Sequence, residues 1–441
     1  MKLNDKLNNL NNYPFHMPGH KRNEKFDITG SEIDITEIEG FDNLHDAKGV
    51  LLDIENNLKN IYKSKKSFML VNGSTVGILS AIFAVCSEGD TVIIARNCHK
   101  SVFNACMLRR LKVVYIEPEF DEENGFYKRI TQSAVDEAIK NHSEAKALIV
   151  TSPTYEGYAS QINSSIPLII DAAHGAHFSL GKFPKYPKGD IVVSSLHKTL
   201  PALTQTAVLN VYNDNYISKA KLYLDIFETS SPSYVLMNSV EKCCDFIENN
   251  KSEFDDYYNR LSSFHSLKLS KLKIRKTDDK SKIIVSTASS TISGKRLAQM
   301  LRDDFKIEVE AYSKNYVILM SSVADSEKAF RNLKTALLTI DDANYEVVSA
   351  ESIPFKKPPC PDKAMIISID DDSEQTDFDK SINKIANEFV FAYPPDIPLI
   401  VPGEIITKEI ESYIKELKRF NVNVISDSGL FPDKILTKLN R

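Results

Sequence analysis

Side chains able to do covalent or proton chemistry collect at four points, each just past a short apolar run. IVVSSLHKTLP sets Ser195, His197 and Lys198 after Ile191, Val192 and Val193, and LIIDAAH sets Asp171, Ala173 and His174 after Leu168, Ile169 and Ile170. VIIARNCHK brings His99, and LIVTSPTY brings Thr154. A lysine flanked by Leu196, Leu200 and Pro201 is partly desolvated, and desolvation favours the neutral amine that attacks carbonyls. Taken alone, the lysine has a plainer reading, a long side chain snorkelling at a strand end.

A fifth feature changes that balance. SFMLVNGSTVGILSAIFAVC reads as an apolar stretch, a Gly73-Ser74-Thr75 turn and a helix from about Val76. Hydroxyls and free N–H groups at a helix start suit a phosphate, although serine and threonine also cap helices without any ligand. An imine-forming lysine, a strand-end aspartate, imidazoles and an anion turn together point to pyridoxal 5′-phosphate. Asp171 would pair with the pyridine nitrogen, and Lys198 would bond covalently to the cofactor. Ser74, Thr75, Ser195 and His197 would hold the phosphate. His99 would lie on one ring face with small Ala173 on the other, and His174 and Thr154 would reach the phenolic oxygen.

Two other chemistries fit less of the pattern. Asp171, His174 and His177 have a D-x-x-H-x-x-H look that resembles metal ligation, but the spacing runs across Gly175 and leaves Lys198 idle. We expect no metal, and His177 is read as a structural histidine. A serine or cysteine hydrolase lacks both a GxSxG elbow and an evident Cys–His pair.

The elements that must position these groups alternate regularly. Strands are expected at 91–95, 112–116, 147–154, 167–173 and 190–196, with helices at 101–110 and 131–140 and an amphipathic helix at 51–62. Near-continuous apolar strands between helices indicate an α/β fold with a parallel sheet covered on both faces, whose ligands gather at the carboxyl ends of the strands. Further helices are expected over 215–250, broken at 229–233, followed by a polar, Lys-rich junction at 251–282 and a small α+β unit over 283–340. Residues 341–441 are read as an acidic linker at 370–379, a proline-fixed extended loop at 393–404 and a helix near 408–420. Residues 1–50, rich in Asn and charge, read as a structureless arm laid over another domain or subunit; His16, His20 and His45 there are either capping groups or contributors to the site.

With 55 basic and 60 acidic residues in 441, the net charge of −5 gives no sign of a nucleic-acid partner. The N-terminus has no signal-like apolar core and no run is long enough for a membrane span, so a cytoplasmic protein without membrane contact is expected. Six scattered cysteines with no CxxC pair read as reduced, mostly buried thiols.

The ordered motifs FHMPGHK, DITEIEGFDNLHDA, NGSTVG, CHKS, VTSPTYEG, DAAHGAH, SSLHKTLPALTQTAVL and YPPDIPLIVPGE resemble those of the Orn/Lys/Arg decarboxylase family, from about residue 13 to about 420. The resemblance implies a fold type I pyridoxal-phosphate enzyme of the short form, without an N-terminal wing. Its large domain, 51–250, would hold a mostly parallel seven-stranded sheet, with an arm at 1–50 and a smaller α+β C-terminal region at 251–441. It implies decarboxylation of a basic L-amino acid to an amine, as in polyamine biosynthesis. Lys198 would be the Schiff-base lysine, Asp171 the pyridinium partner and His99 the stacking imidazole. Gly73, Ser74, Thr75, Thr154, Ala173, His174, Ser195 and His197 would line the cofactor, in a homodimer with the site near the subunit interface. His99 or Lys198 would return the proton to Cα, and Glu404 or another acidic residue near the C-terminal loop would meet the substrate's distal cation. Asp396 stands where the family usually has glycine, and Ala172 where it usually has glutamate, which leaves the choice among lysine, arginine and ornithine open. Another pyridoxal-phosphate reaction, transamination or elimination, and a cofactor-binding protein without turnover are the alternatives.

Overall fold

The computed structural model describes residues 1–343, 356–361, 363–364, 371–393, 397–419 and 422–439. They divide into two units, Met1–Val85 with Ile169–Asp255, and Cys86–Leu168 with Asp256–Arg441.

In the first unit, neighbouring strands follow the order Lys66–Leu70, Ala207–Val211, Ile191–Ser195, Leu168–Asp171. The last two are parallel, and Ala207–Val211 runs antiparallel to both its neighbours. Every residue of Ile191–Ser195 and Ala207–Val211 is buried, as near-continuous apolar strands require when both faces are covered. Helix Gly73–Val85 is apolar almost all round, and it approaches its strand closely enough that a Cβ at Gly77 would lie 2.7 Å from Val193. Only glycine allows that approach, which sets the helix start beside the end of Ile191–Ser195.

The arm is more ordered than its composition suggests. Leu3–Asn8 is a helix whose Leu3 and Leu7 are buried, and the Leu3 and Asn4 N–H groups donate to buried Glu241 at 2.8 Å each. Two leucines four apart make an apolar seam too short to stand out among asparagines. The three arm histidines serve as ties. His45 engages Asp225 and the Thr229 carbonyl, His20 engages Asp34, and His16 engages the Met17 carbonyl.

In the second unit, Ala147–Thr151, Thr91–Ala95 and Lys112–Ile116 are parallel neighbours, with two-residue Lys363–Ala364 antiparallel at the edge. Among the described residues, the two units thus supply seven strands and one short extra, a mostly parallel α/β arrangement. Helices Lys100–Leu108 and Gln132–Asn141 form as the pattern indicates, the latter capped by Thr131. An antiparallel four-stranded sheet, in the order 273–274, 282–286, 316–320, 311–312, carries helices Gly294–Phe305 and Glu327–Asp342. The Lys-rich junction contains a helix, Lys251–His265.

Two expectations for the C-terminal region are corrected. Within the acidic linker, Ser373–Asp377 is a strand paired with basic Lys434–Lys438. Opposite charges across the ladder and the Thr376–Thr437 hydroxyl contact at 2.7 Å give an acidic segment reason to pair. In the proline-rich segment, Ile397–Ile400 is a strand paired antiparallel with Val390–Tyr393. Ile397–Ile400 lies at the edge of its three-stranded sheet, where Pro398 costs no ladder bond. Asp396 lies outside the described residues.

Candidate functional site in the first unit

Lys198 sits in a single turn, Leu196–Thr199, directly after strand Ile191–Ser195. It is half-buried, and its Nζ lies 3.2 Å from His174 Nε2. Asp171 ends the adjacent parallel strand. It is buried, and its Oδ1 accepts the Ala173 N–H at 3.0 Å, while the Ala172 N–H donates to the Val193 carbonyl at 2.8 Å. Strand pairing therefore brings Asp171, Ala173 and His174 to the end of the strand that carries Lys198.

The anion turn joins the same group. Gly73 adopts φ +77°, a left-handed conformation that favours glycine, and its N–H donates to the Gln205 carbonyl at 2.7 Å. Ser74 and Thr75 then occupy the first helical turn, whose N–H groups have no acceptor within the helix. Ser195 Oγ donates to Ser74 Oγ at 3.0 Å, so two hydroxyls meet at the positive end of a 13-residue helix. His197 Nδ1 contacts the Thr206 carbonyl at 2.8 Å. A carbonyl can only accept, so Nδ1 carries a proton. Burial holds the His197 imidazole below its ordinary pKa, and the neighbouring Lys198 charge adds to this.

The first unit thus brings together Gly73, Ser74, Thr75, Asp171, Ala173, His174, Ser195, His197 and Lys198. The other two expected residues belong to the second unit. His99 caps helix Lys100–Leu108, its Nδ1 accepting the Ser101 N–H at 3.1 Å, which puts the proton of a neutral ring on Nε2. Thr154 is buried, and its Oγ1 accepts the Tyr158 N–H at 3.2 Å. His177 packs edge-on against Phe178 and Phe183. Among the described residues, no group of three or more His, Cys, Asp or Glu side chains could hold a metal ion.

Glu404, expected near the substrate's distal cation, already has a cationic partner. It is buried in the second unit, paired with Arg96 at 3.2 Å, and it accepts the Val401 N–H at 2.9 Å. Arg96 also donates to the carbonyls of Pro398 and Leu399. Burial opposes the Arg96 charge, but the Glu404 carboxylate more than offsets this and holds the guanidinium above its ordinary pKa.

One supporting residue escaped the sequence reading. Glu228 is buried and accepts the Val71 N–H at 2.7 Å, two residues ahead of Gly73. Burial pushes its carboxyl up to about 7, against the opposing effects of the Val71 N–H and His45. No local signal marks it, because its partner is far away along the chain.

A carbonyl-reactive amine beside an imidazole, a buried carboxylate and a hydroxyl pair at a helix start match the aldehyde, pyridine nitrogen and phosphate of pyridoxal phosphate. The comparisons agree with this fit. Residues 3–319 match the model for the Orn/Lys/Arg decarboxylase major domain, and residues 355–424 match that for its C-terminal domain. The chain is 30% identical over 452 residues to the uncharacterized protein YaaO of Bacillus subtilis, covering 94% of this chain and 93% of the relative. It is 29% identical to an arginine decarboxylase of the same organism, covering 91% and 89%. The fold is similar to that of the constitutive lysine decarboxylase of Escherichia coli, with a TM-score of 0.79 at 16% identity, over 99% of this chain and 81% of that one. This chain belongs to the Orn/Lys/Arg decarboxylase family.

Proposed function

We propose that the protein is a pyridoxal-phosphate-dependent decarboxylase that converts a basic L-amino acid to its amine and CO2. The observation that carries the reading is the convergence, within one unit, of Lys198, His174, Asp171 and the Ser74–Ser195 pair. Relatives matched over about nine-tenths of this chain are named arginine decarboxylase, which puts arginine first among the substrates to test.

Pyridoxal phosphate, when bound, supplies an electron sink for the pair left on Cα as CO2 departs. Lys198 Nζ would anchor it through its aldehyde. The Asp171 carboxylate holds the pyridine N–H, and its buried position strengthens that hydrogen bond. Ser74, Thr75 and Ser195 bind the phosphate with hydroxyls and first-turn N–H groups, and His197 supports them. His174 orients Lys198 and, with Thr154, takes the phenolic oxygen. Small Ala173 would leave room for the cofactor ring, and the His99 imidazole would be the group to stack on it. His99 Nε2, the nitrogen that carries the ring proton, or Lys198 Nζ returns a proton to Cα.

We further assign the arm 1–50, a large domain 51–250 and a C-terminal region 251–441, a cytoplasmic location, and a homodimer that places the site near the subunit interface. The amine product suits polyamine biosynthesis. Among the described residues no helix is long and apolar enough to cross a membrane. The test is mass spectrometry of products from arginine, lysine and ornithine, alongside the visible absorbance of the bound cofactor. Amine and CO2 from one of them support the reading. A keto acid would move the chain to transamination, and a cofactor band without turnover would leave a binding protein.

A further inference from the structure

The proposed reaction gives no role to the arm motif FDNLHDAKG, residues 41–49, yet that stretch is closely built. The Asp42 carboxylate accepts the N–H groups of Lys48, Gly49 and Leu51 at 3.0, 2.6 and 3.2 Å, and the Tyr234 hydroxyl donates to the Asp42 carbonyl. Leu44 is buried, and the Asn43 side chain accepts the His45 N–H at 2.8 Å. A loop closed on itself and pinned to helix Tyr234–Asn249 presents His45 in one place. There its Nε2 meets the Thr229 carbonyl at 2.8 Å and its Nδ1 meets the Asp225 carboxylate at 2.9 Å. A carbonyl and a carboxylate only accept, so a ring that donates from both nitrogens completes both contacts.

The segment that His45 grips holds the base of the anion turn. Asp225 lies in the last turn of helix Ile217–Phe227, and Glu228 and Thr229 follow that helix. Glu228 accepts the Val71 N–H at 2.7 Å, and the Thr229 N–H donates to Asn72 Oδ1 at 3.2 Å. Residues 228–229 thus hold 71–72 by a bond in each direction. Val71 and Asn72 lead directly into Gly73, Ser74 and Thr75. Thr229, Ser230 and Ser231 are exposed, and a connection of that kind is fixed by few contacts. His45 supplies two of them, one at each end of Phe227–Glu228. A phosphate bound by several N–H groups at a helix start needs all of them aimed at one point, to within about 0.5 Å.

We propose that His45 is a positioning residue for the cofactor phosphate: by holding Asp225 and Thr229 it fixes residues 228–229 against Val71 and Asn72, and so sets the Gly73-Ser74-Thr75 turn. It acts through these residues and not by contact with the phosphate. The inference rests on the assignment of Ser74 and Thr75 to that phosphate. A histidine that only stabilised the arm would, when removed, lower the melting temperature without regard to the form of the cofactor. One that sets the turn acts on the phosphate alone. Pyridoxal keeps the aldehyde and the ring but carries a hydroxyl in place of the phosphate ester, so it separates the two roles.

The experiment is absorbance titration of the full-length protein, freed of cofactor, with pyridoxal phosphate and with pyridoxal, at a temperature where circular dichroism shows each variant folded. The wild type should favour pyridoxal phosphate. His45→Ala should bind pyridoxal phosphate about tenfold more weakly and pyridoxal as before. Asp225→Asn alters one contact at an exposed position and should reduce the preference about threefold, and it supplies the test if His45→Ala does not fold. His45 and Asn72 act through the same segment, so the double variant His45→Ala with Asn72→Ala should lose less than the product of the two single losses. A preference unchanged in the folded variants, or losses that multiply, overturns the proposal. A wild type that binds pyridoxal as tightly as pyridoxal phosphate overturns the phosphate assignment and this inference with it. Amine and CO2 are measured separately, so the decarboxylase reading can stand while the positioning role fails.

Discussion

The cradle around Lys198 and the tie between Arg96 and Glu404 are both polar groups drawn out of water, each at the end of a parallel strand, yet they are finished differently. Arg96 follows strand Thr91–Ala95 and finds a carboxylate and two carbonyls within its own unit, and it is only 3% exposed. Its electrostatics are closed by the protein itself. Lys198 stays half-buried beside an imidazole, and Ser74 and Ser195 point hydroxyls at one another over a helix start. That arrangement is suited to groups that arrive from outside, an aldehyde and a phosphate. A buried charge completed by the fold is costly to break, whereas polar groups gathered at strand ends are placed to do chemistry.

The contrast sets the order of effects. Lys198→Ala should lower kcat by about 10⁴-fold or more, with the protein still folded by circular dichroism. Release of CO2 at the wild-type rate by that variant would place the chemistry elsewhere. Glu404→Ala should act on stability instead. It leaves the Arg96 guanidinium buried without its carboxylate, at a cost of about 3–5 kcal/mol in denaturant unfolding. If Glu404→Ala unfolds like wild type and raises KM for the substrate, Glu404 belongs to the site after all.

Ser74→Ala should weaken cofactor binding roughly tenfold, read as a dissociation constant from absorbance titration, through loss of a hydrogen bond to a charged group. Unchanged affinity would show that the first-turn N–H groups suffice. The smallest effect concerns Glu228. Its carboxyl is held at about 7 in the folded chain, above the ordinary glutamate value, so the folded state keeps its proton longer than the unfolded chain. Relative to Glu228→Gln, the wild type should therefore lose stability as pH rises from the ordinary glutamate range to about 7, then level off. A difference between the two proteins that is flat with pH would mean that Val71 is held by an ionised carboxylate throughout.

Much of the cradle was legible because its residues sit where local pattern is strongest. Apolar runs of three or four residues announce buried strands, the polar groups follow at once, and the Gly73-Ser74-Thr75 turn opens an apolar helix. The C-terminal region was less legible. Ser373–Asp377 looks like a linker until Lys434–Lys438 lies beside it, and Glu404 looks available until Arg96 is found against it. The arm helix at Leu3–Asn8 has only two buried leucines to mark it, and Glu228 carries no local signal.

By itself the sequence determined the α/β class, the strand ends and the side chains placed there, because each follows from the identity of near neighbours and the period of the backbone. Only the tertiary structure decided which of those side chains meet. Strand order puts Asp171 and His174 next to Lys198, and close packing of helix and strand at Gly77 brings Ser74 to Ser195. It also decided which charges are spent inside the protein, since a partner hundreds of residues away leaves no trace in local pattern but sets the whole electrostatic environment of a buried group.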